Sequence, residues 1–264
     1  MQTGYAELLM YVAPQRIQQA QREWLQQITR ILGVERLDAQ DAGLASDLMA
    51  LWLSPQLLLT QTCGYPLMTA LRGKVQIVGR PVYELPHSNE GAHCSLLVAR
   101  ADDYSRQTLE AFRGSHGLVN SRDSNSGMNL FRHALAPFQR EGRFFAETTL
   151  TGGHRNSLAQ IKAGKGDLAA IDSVTFDYLS REESAEVVGL KVIARTAPGP
   201  CLPYITRLGA DAAAIRVAMN QALLDLPEVA AVLAIREVLP ATEADYEVLL
   251  DYQLQAASLG LHEV

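Results

Sequence analysis

The sequence predicts an α/β fold, and three observations predict it. Short apolar runs of strand length alternate with stretches whose apolar residues recur at helical spacing. One of those runs, Cys94 to Ala99, is continuously apolar, as expected of a strand buried on both faces in a parallel sheet. Between the runs lie loops rich in Gly, Pro, Asn and Ser, the clearest linker being Pro198-Gly199-Pro200. Alternation of this kind implies parallel sheets flanked by helices.

Element by element, the N-terminal stretch from Met1 leads into Leu8 to Val12, which reads as a short strand ending at Pro14. Ile17, Ala20, Trp24, Ile28, Ile31 and Leu32 then line one face of a helix that Gly33 stops. Leu44 to Leu53 reads as a second helix and Leu57 to Thr60 as a strand, followed by a turn at Cys63-Gly64-Tyr65-Pro66. Val75 to Val78 and Cys94 to Ala99 are further strands. After Ala101-Asp102-Asp103 come a short helix at Thr108 to Phe112, a strand at Leu118-Val119 and a helix at Met128 to Phe138. Strands at Phe144 to Leu150, Leu168 to Ile171 and Leu190 to Ala194 alternate with helices at Arg155 to Ala163 and Ser173 to Leu179. Beyond the Pro-Gly-Pro linker, Ala210 to Leu226 is an Ala-rich helix, and the remainder reads as acidic and mostly helical.

Composition narrows the function classes. The chain has 264 residues, 48% hydrophobic and 20% charged, which suits a folded protein and argues against disorder. A net charge of -6 with no basic tract argues against a nucleic-acid surface. No run approaches the roughly 18 apolar residues of a membrane span, so no stable membrane insertion is expected. The N-terminus shows no cationic segment, long apolar core or cleavage site, which makes a cytoplasmic location one expectation. Cys63, Cys94 and Cys201 form no CxxC pair and read as buried thiols rather than a disulfide framework. His87, His93 and Cys94 match no standard zinc spacing, and no cofactor is expected.

In α/β sheets ligands sit beyond the carboxyl ends of strands, so the loops after each strand matter most. Asn120-Ser121-Arg122-Asp123-Ser124-Asn125-Ser126-Gly127 follows a strand and opens a helix. Its hydroxyls, backbone N–H groups and helix terminus suit an anion, while ordinary N-capping needs only one such residue. Thr151-Gly152-Gly153-His154-Arg155-Asn156-Ser157 has the same context, with His154 as either an anion donor or a structural hydrogen-bonding residue. Asp172 ends a buried strand and reads either as an N-cap or as a ligand residue. Thr60-Gln61-Thr62-Cys63-Gly64-Tyr65-Pro66 is a polar loop bearing a Tyr. No GxSxG, GxxxxGK[ST], HExxH or GxGxxG motif is present. Ser124 or Ser126 with His154 and Asp172 could be drawn as a hydrolytic triad, for which sequence supplies no geometry.

These loops, with Leu9-Met10-Tyr11 and Asp167-Leu168-Ala169-Ala170-Ile171-Asp172-Ser173-Val174, occur in one order over residues 9 to about 206. In that order the sequence resembles the PhnD-like phosphate/phosphite/phosphonate substrate-binding proteins of ABC transporters. The resemblance implies a two-lobe type II periplasmic binding-protein fold, each lobe a mainly parallel sheet flanked by helices, with the ligand in a cleft between lobes. It places lobe one at 1–98 and 199–264 and lobe two at 99–198, with hinge crossings near 98–101 and 195–198. It implies ligand contacts from Ser124, Asn125, Ser126, Gly127 and His154, with Asp172, Tyr65, Tyr11 and Thr62 around them. His93 stands where these proteins often carry an aromatic, and Pro198 to Pro203 lacks the acid found in binders of aminoalkyl phosphonates. The implied function is non-enzymatic capture of a small phosphorus oxyanion or organophosphonate, with an ABC permease as partner and a periplasmic or cell-envelope location. The alternative is a cytoplasmic ligand sensor, or an enzyme, on the same two lobes with a different small ligand.

Overall fold

The computed structural model describes residues 2–44 and 46–264; Met1 and Ala45, which fall in the predicted N-terminal stretch and the predicted helix 44–53, lie outside the described residues. The chain divides into two compact units, Met1–Ala92 with Pro200–Tyr246, and His93–Gly199 with Glu247–Val264. Relative to the expected boundaries, strand Ser95–Arg100 lies whole in the second unit, and so do residues 247–264.

The first unit is built on a six-stranded sheet in the order Ile235–Leu239, Val75–Tyr83, Tyr204–Arg207, Leu57–Gln61, Gln2–Glu7, Val34–Leu37. Gln2–Glu7 runs parallel to both its neighbours, and the other pairings are antiparallel. The long predicted helix is present as Gln15–Leu32, with Ile17, Ala20, Trp24, Leu25 and Ile28 buried along one face. Gly33 ends it in the left-handed region at φ 64°, where its N–H closes the last turn. This helix packs against helix Ala212–Asp225, where Trp24 Nε1 donates to the Met219 carbonyl at 3.1 Å. The indole also meets Tyr204 edge-on at 5.7 Å.

Several expectations shift here. The first strand is Gln2–Glu7, and Leu8 to Val12 follows it as loop. The strand's inward residues are Gly4 and Ala6, too small to register as an apolar run; a Cβ on Gly4 would sit 2.9 Å from Leu58 Cβ. The second helix contracts to Leu48–Trp52, because Asp47 caps it by accepting from Ala50 N. The Cys63 to Pro66 segment is not a free turn: it opens a short helix, Gly64–Thr69. Strands Val34–Leu37, Tyr204–Arg207 and Ile235–Leu239 had no strong apolar signature and were not expected.

The second unit carries a five-stranded sheet in the order Leu190–Arg195, Ser95–Arg100, Leu168–Asp172, His116–Val119, Glu147–Leu150. The last three strands run parallel. Ser95–Arg100, expected in a parallel sheet, is antiparallel to both its neighbours. Its continuous apolar run reflects burial on two faces, which strand direction does not alter. Leu97 and Ala99 join one core with Phe112, Phe131, Phe144 and Leu261, while Leu96 and Val98 join another with Leu158, Ile161 and Leu179. Phe144 and Phe145 are core residues ahead of the strand Glu147–Leu150, which is why their apolar pair extended its prediction. Cys63, Cys94 and Cys201 are all buried. Among the described residues no helix is long and apolar enough to cross a membrane.

Candidate functional site

Three strand-to-helix junctions of the second unit bring most of the expected residues together. At the first, strand His116–Val119 leads through Asn120 into one π turn, Asn125–Asn129, continued by helix Leu130–Leu135. Ser124 caps this run, its Oγ accepting from Gly127 N at 3.0 Å, and Asn129 N closes the wide turn on the Ser124 carbonyl at 3.0 Å. The helix predicted from Met128 therefore begins a turn earlier. Ser124, Asn125, Ser126 and Gly127 are all buried. Ser95 Oγ pins the loop from below by donating to the Ser126 carbonyl at 2.9 Å. Gly127 is required by close approach: a Cβ there would stand 1.8 Å from Asn120 Oδ1.

The second junction supplies His154, first residue of helix His154–Lys162, whose cap position Gly153 offers no side chain to the helix. His154 Nε2 lies 3.0 Å from Ser126 Oγ and 3.3 Å from Asn120 Nδ2. Both contacts fall on Nε2, and the direction of each follows the tautomer of the imidazole. Burial holds His154 below the ordinary histidine value, against the Asp172 charge and the Ala170 backbone, which push upward. The Ser126 hydroxyl can donate to the imidazole or accept from it, and its hydrogen is free to rotate.

At the third junction Asp172 ends strand Leu168–Asp172 and caps helix Ser173–Glu182, Oδ1 accepting from Thr175 N at 3.0 Å. Its Oδ2 lies 3.0 Å from His93 Nδ1, and both side chains are almost wholly buried. Burial alone would raise the Asp172 pKa. The His93 charge and hydrogen bond, with His154 and the Thr175 N–H, outweigh it and hold the carboxyl below its usual range. Asp172 is therefore the cap of its helix, and its second oxygen stands against His93.

Tyr11, Thr62 and Tyr65 belong to the first unit. Tyr11 is buried edge-on to Tyr83 at 6.2 Å. Thr62 is fully buried, with N donating to the Pro203 carbonyl at 3.1 Å and Oγ1 to the Cys63 carbonyl at 3.3 Å. Tyr65 is half-buried at the start of helix Gly64–Thr69. Sequence reading did not single out Ser95, Asn120, Asn129 or Arg132. Asn125, Asn129 and Arg132 are spaced by four and three, a polar stripe on one helix face and the signal that would have found them. Among the described residues no cluster of three or more His, Cys, Asp or Glu could hold a metal ion.

The fold and these junctions define a type II periplasmic binding protein. The family described as ABC transporter, phosphonate, periplasmic substrate-binding protein matches residues 9–247, and the chain belongs to that family. Among solved structures it is similar to a binding protein component of an ABC phosphonate transporter (PA3383) from Pseudomonas aeruginosa. That likeness has TM-score 0.75 and 16% identity over 98% of this chain and 87% of the other. PhnD1 from Prochlorococcus marinus (MIT 9301), in complex with methylphosphonate, gives TM-score 0.73 and 10% identity over 97% and 98%. XAC2383 from Xanthomonas citri, bound to ATP, gives TM-score 0.65 and 17% identity over 98% of each chain. No curated protein sequence matches the chain.

Proposed function

We propose that this chain captures a small phosphorus oxyanion or alkylphosphonate on the loop Ser124 to Gly127, with His154 behind it, and delivers it to an ABC permease in the cell envelope. The observation that carries the reading is the Ser126–His154 pair at 3.0 Å, seated at the start of a capped helical run in a chain of this family. Hydroxyls, amides and the positive end of a helix bind oxyanions without a formal ion pair, which fits an acidic protein. Binding without turnover follows from the family's role, and His154 serves as a hydrogen-bond partner rather than a general base.

The anion has no ammonium group. Asp172 has one oxygen on Thr175 N and the other on His93, so a ligand amine would have to displace a resident partner. The segment Pro198 to Pro203 offers no second carboxylate. The methylphosphonate of the Prochlorococcus neighbour has this character. Thermal unfolding against methylphosphonate, phosphate, phosphite, 2-aminoethylphosphonate, sulfate and ATP tests the reading. A ligand at 100 times its Kd should add about 2.7 kcal/mol of stability. The expected result is a shift with methylphosphonate or a smaller phosphorus oxyanion and a much weaker one with 2-aminoethylphosphonate. A shift with ATP alone would replace the phosphonate reading by a nucleotide one, and no shift with any of them would remove it.

A further inference from the structure

We propose that Asn120 is a positioning residue of the anion site: its side chain holds the His154 ring against Ser126 and so registers two loops on each other. The inference rests on the reading of those loops as an anion site. His154 and Ser126 come from different strand-to-helix junctions, and a binding side chain keeps its geometry only when neighbours hold it. Asn120 follows strand His116–Val119 directly and touches both loops. Its carbonyl accepts from Gly152 N at 3.0 Å, two residues before His154. Its Nδ2 lies 3.3 Å from His154 Nε2, the nitrogen that also meets Ser126 Oγ. The other edge of the amide faces Gly127, in the space a Cβ there would fill. The loop that carries Ser126 is thus seated on the same side chain that holds the imidazole.

The backbone part of this grip belongs to any residue; the side-chain part calls for an amide. An imidazole nitrogen donates or accepts according to its proton, and Nε2 already meets a hydroxyl that can play either part. A carboxamide also answers both states, with its NH2 for a bare nitrogen and its oxygen for one that carries hydrogen. Asn120 Oδ1 is buried and has no hydrogen-bond partner, so no other group ties the amide to one orientation. A carboxylate in its place could only accept and would favour the charged ring. An aliphatic side chain could do neither. Asn120 therefore holds the ring whichever tautomer it adopts, without adding a charge to an anion site.

A double-mutant cycle on affinity tests this, with methylphosphonate as the probe and titration calorimetry as the readout. Asn120→Ala should weaken binding about tenfold in the wild-type background. It should weaken binding by less than about twofold once His154 is already Ala, because Asn120 acts through the ring. Equal losses in the two backgrounds would mean that Asn120 only packs beside Gly127, and that additivity overturns the inference while leaving the anion loop in place. Asn120→Asp gives a readout that needs no ligand, an NMR titration of the His154 ring in the free protein. The new carboxylate should raise the pH at which the ring takes up its proton, with Asp172 and His93, which also act on that ring, left as they are. A His154 titration that stays at its wild-type position overturns the inference. Should Asn120→Ala not fold, or the His154→Ala protein bind too weakly for the cycle, the Asn120→Asp titration decides alone. A wild-type protein that binds neither methylphosphonate nor the smaller oxyanions overturns the loop reading and the positioning role with it.

Discussion

Two helices of the second unit start in opposite ways. Helix Ser173–Glu182 is capped by Asp172, whose oxygens are engaged by Thr175 N and His93. Helix His154–Lys162 begins after Gly153, which contributes no side-chain cap, and its first residue reaches away to Ser126. Both follow strands of one sheet and both bear an ionisable residue at the junction. The Asp172 junction caps its own helix and is also tied to His93, while the His154 junction is aimed at a neighbouring loop. A buried carboxylate with both oxygens engaged by the protein is a structural anchor. A histidine at an uncapped glycine junction is the one we propose as the partner of the bound anion.

Removing the anchor should have the largest effect. Asp172→Ala strips the cap and leaves buried His93 without its partner, so we expect a loss of about 3–5 kcal/mol in denaturant unfolding. His154→Ala should sharpen the contrast by doing the reverse, lowering oxyanion affinity by about 1.5–3 kcal/mol in calorimetry with a much smaller change in melting temperature. If both variants cost stability alike, the distinction between the junctions is lost. Gly127→Ala comes next. Its methyl group would displace Asn120 from beside His154, at a cost of about 1–3 kcal/mol with a parallel loss of affinity, seen by unfolding and binding together. Ser124→Ala removes one cap bond and should cost about 1 kcal/mol of stability.

The pH dependence separates the two junctions again. His154 is held below the ordinary histidine value, so from about pH 6.5 downward the unfolded chain takes up a proton that the folded one resists, and stability falls. Asp172 is held below the ordinary carboxyl value, so its contribution is present above about pH 4 and is lost as pH falls through its folded value. Unfolding measured from pH 8 to pH 3 should therefore show a first decline that His154→Gln removes and a second that Asp172→Asn removes.

Much of the second unit was legible in the sequence because its signals are local. Asn, Ser and Gly after Val119, Gly-Gly-His after Thr151, and Asp172 after an apolar run each mark a strand end and a helix start within a few residues. The first strand was not legible, since Gly4 and Ala6 face its packed side and leave the apolar weight to the loop that follows. Asn129 and Arg132 were hidden for a different reason. The helix was expected from Met128, which cut the stripe from Asn125 to Arg132 in two and left its parts without a common face. The pairing of His93 with Asp172 joins residues far apart in the chain, and no spacing rule announces it.

The route of the chain has a consequence for biosynthesis. Ala256 and Leu261 fill a core otherwise made from residues 97–170, and the His262 carbonyl receives Arg132. These residues leave the ribosome only after the whole of 200–246 has emerged and has its own unit to complete. The loop Ser124 to Gly127 can form its local turns early, but the layer behind it stays open until more than a hundred further residues have been translated. Contacts of such long sequence separation slow folding, and until they form the core around Phe112, Phe131 and Phe144 lacks Ala256 and Leu261. A chaperone that holds the nascent chain through this interval would act on the second unit, the one whose signals are otherwise the most local.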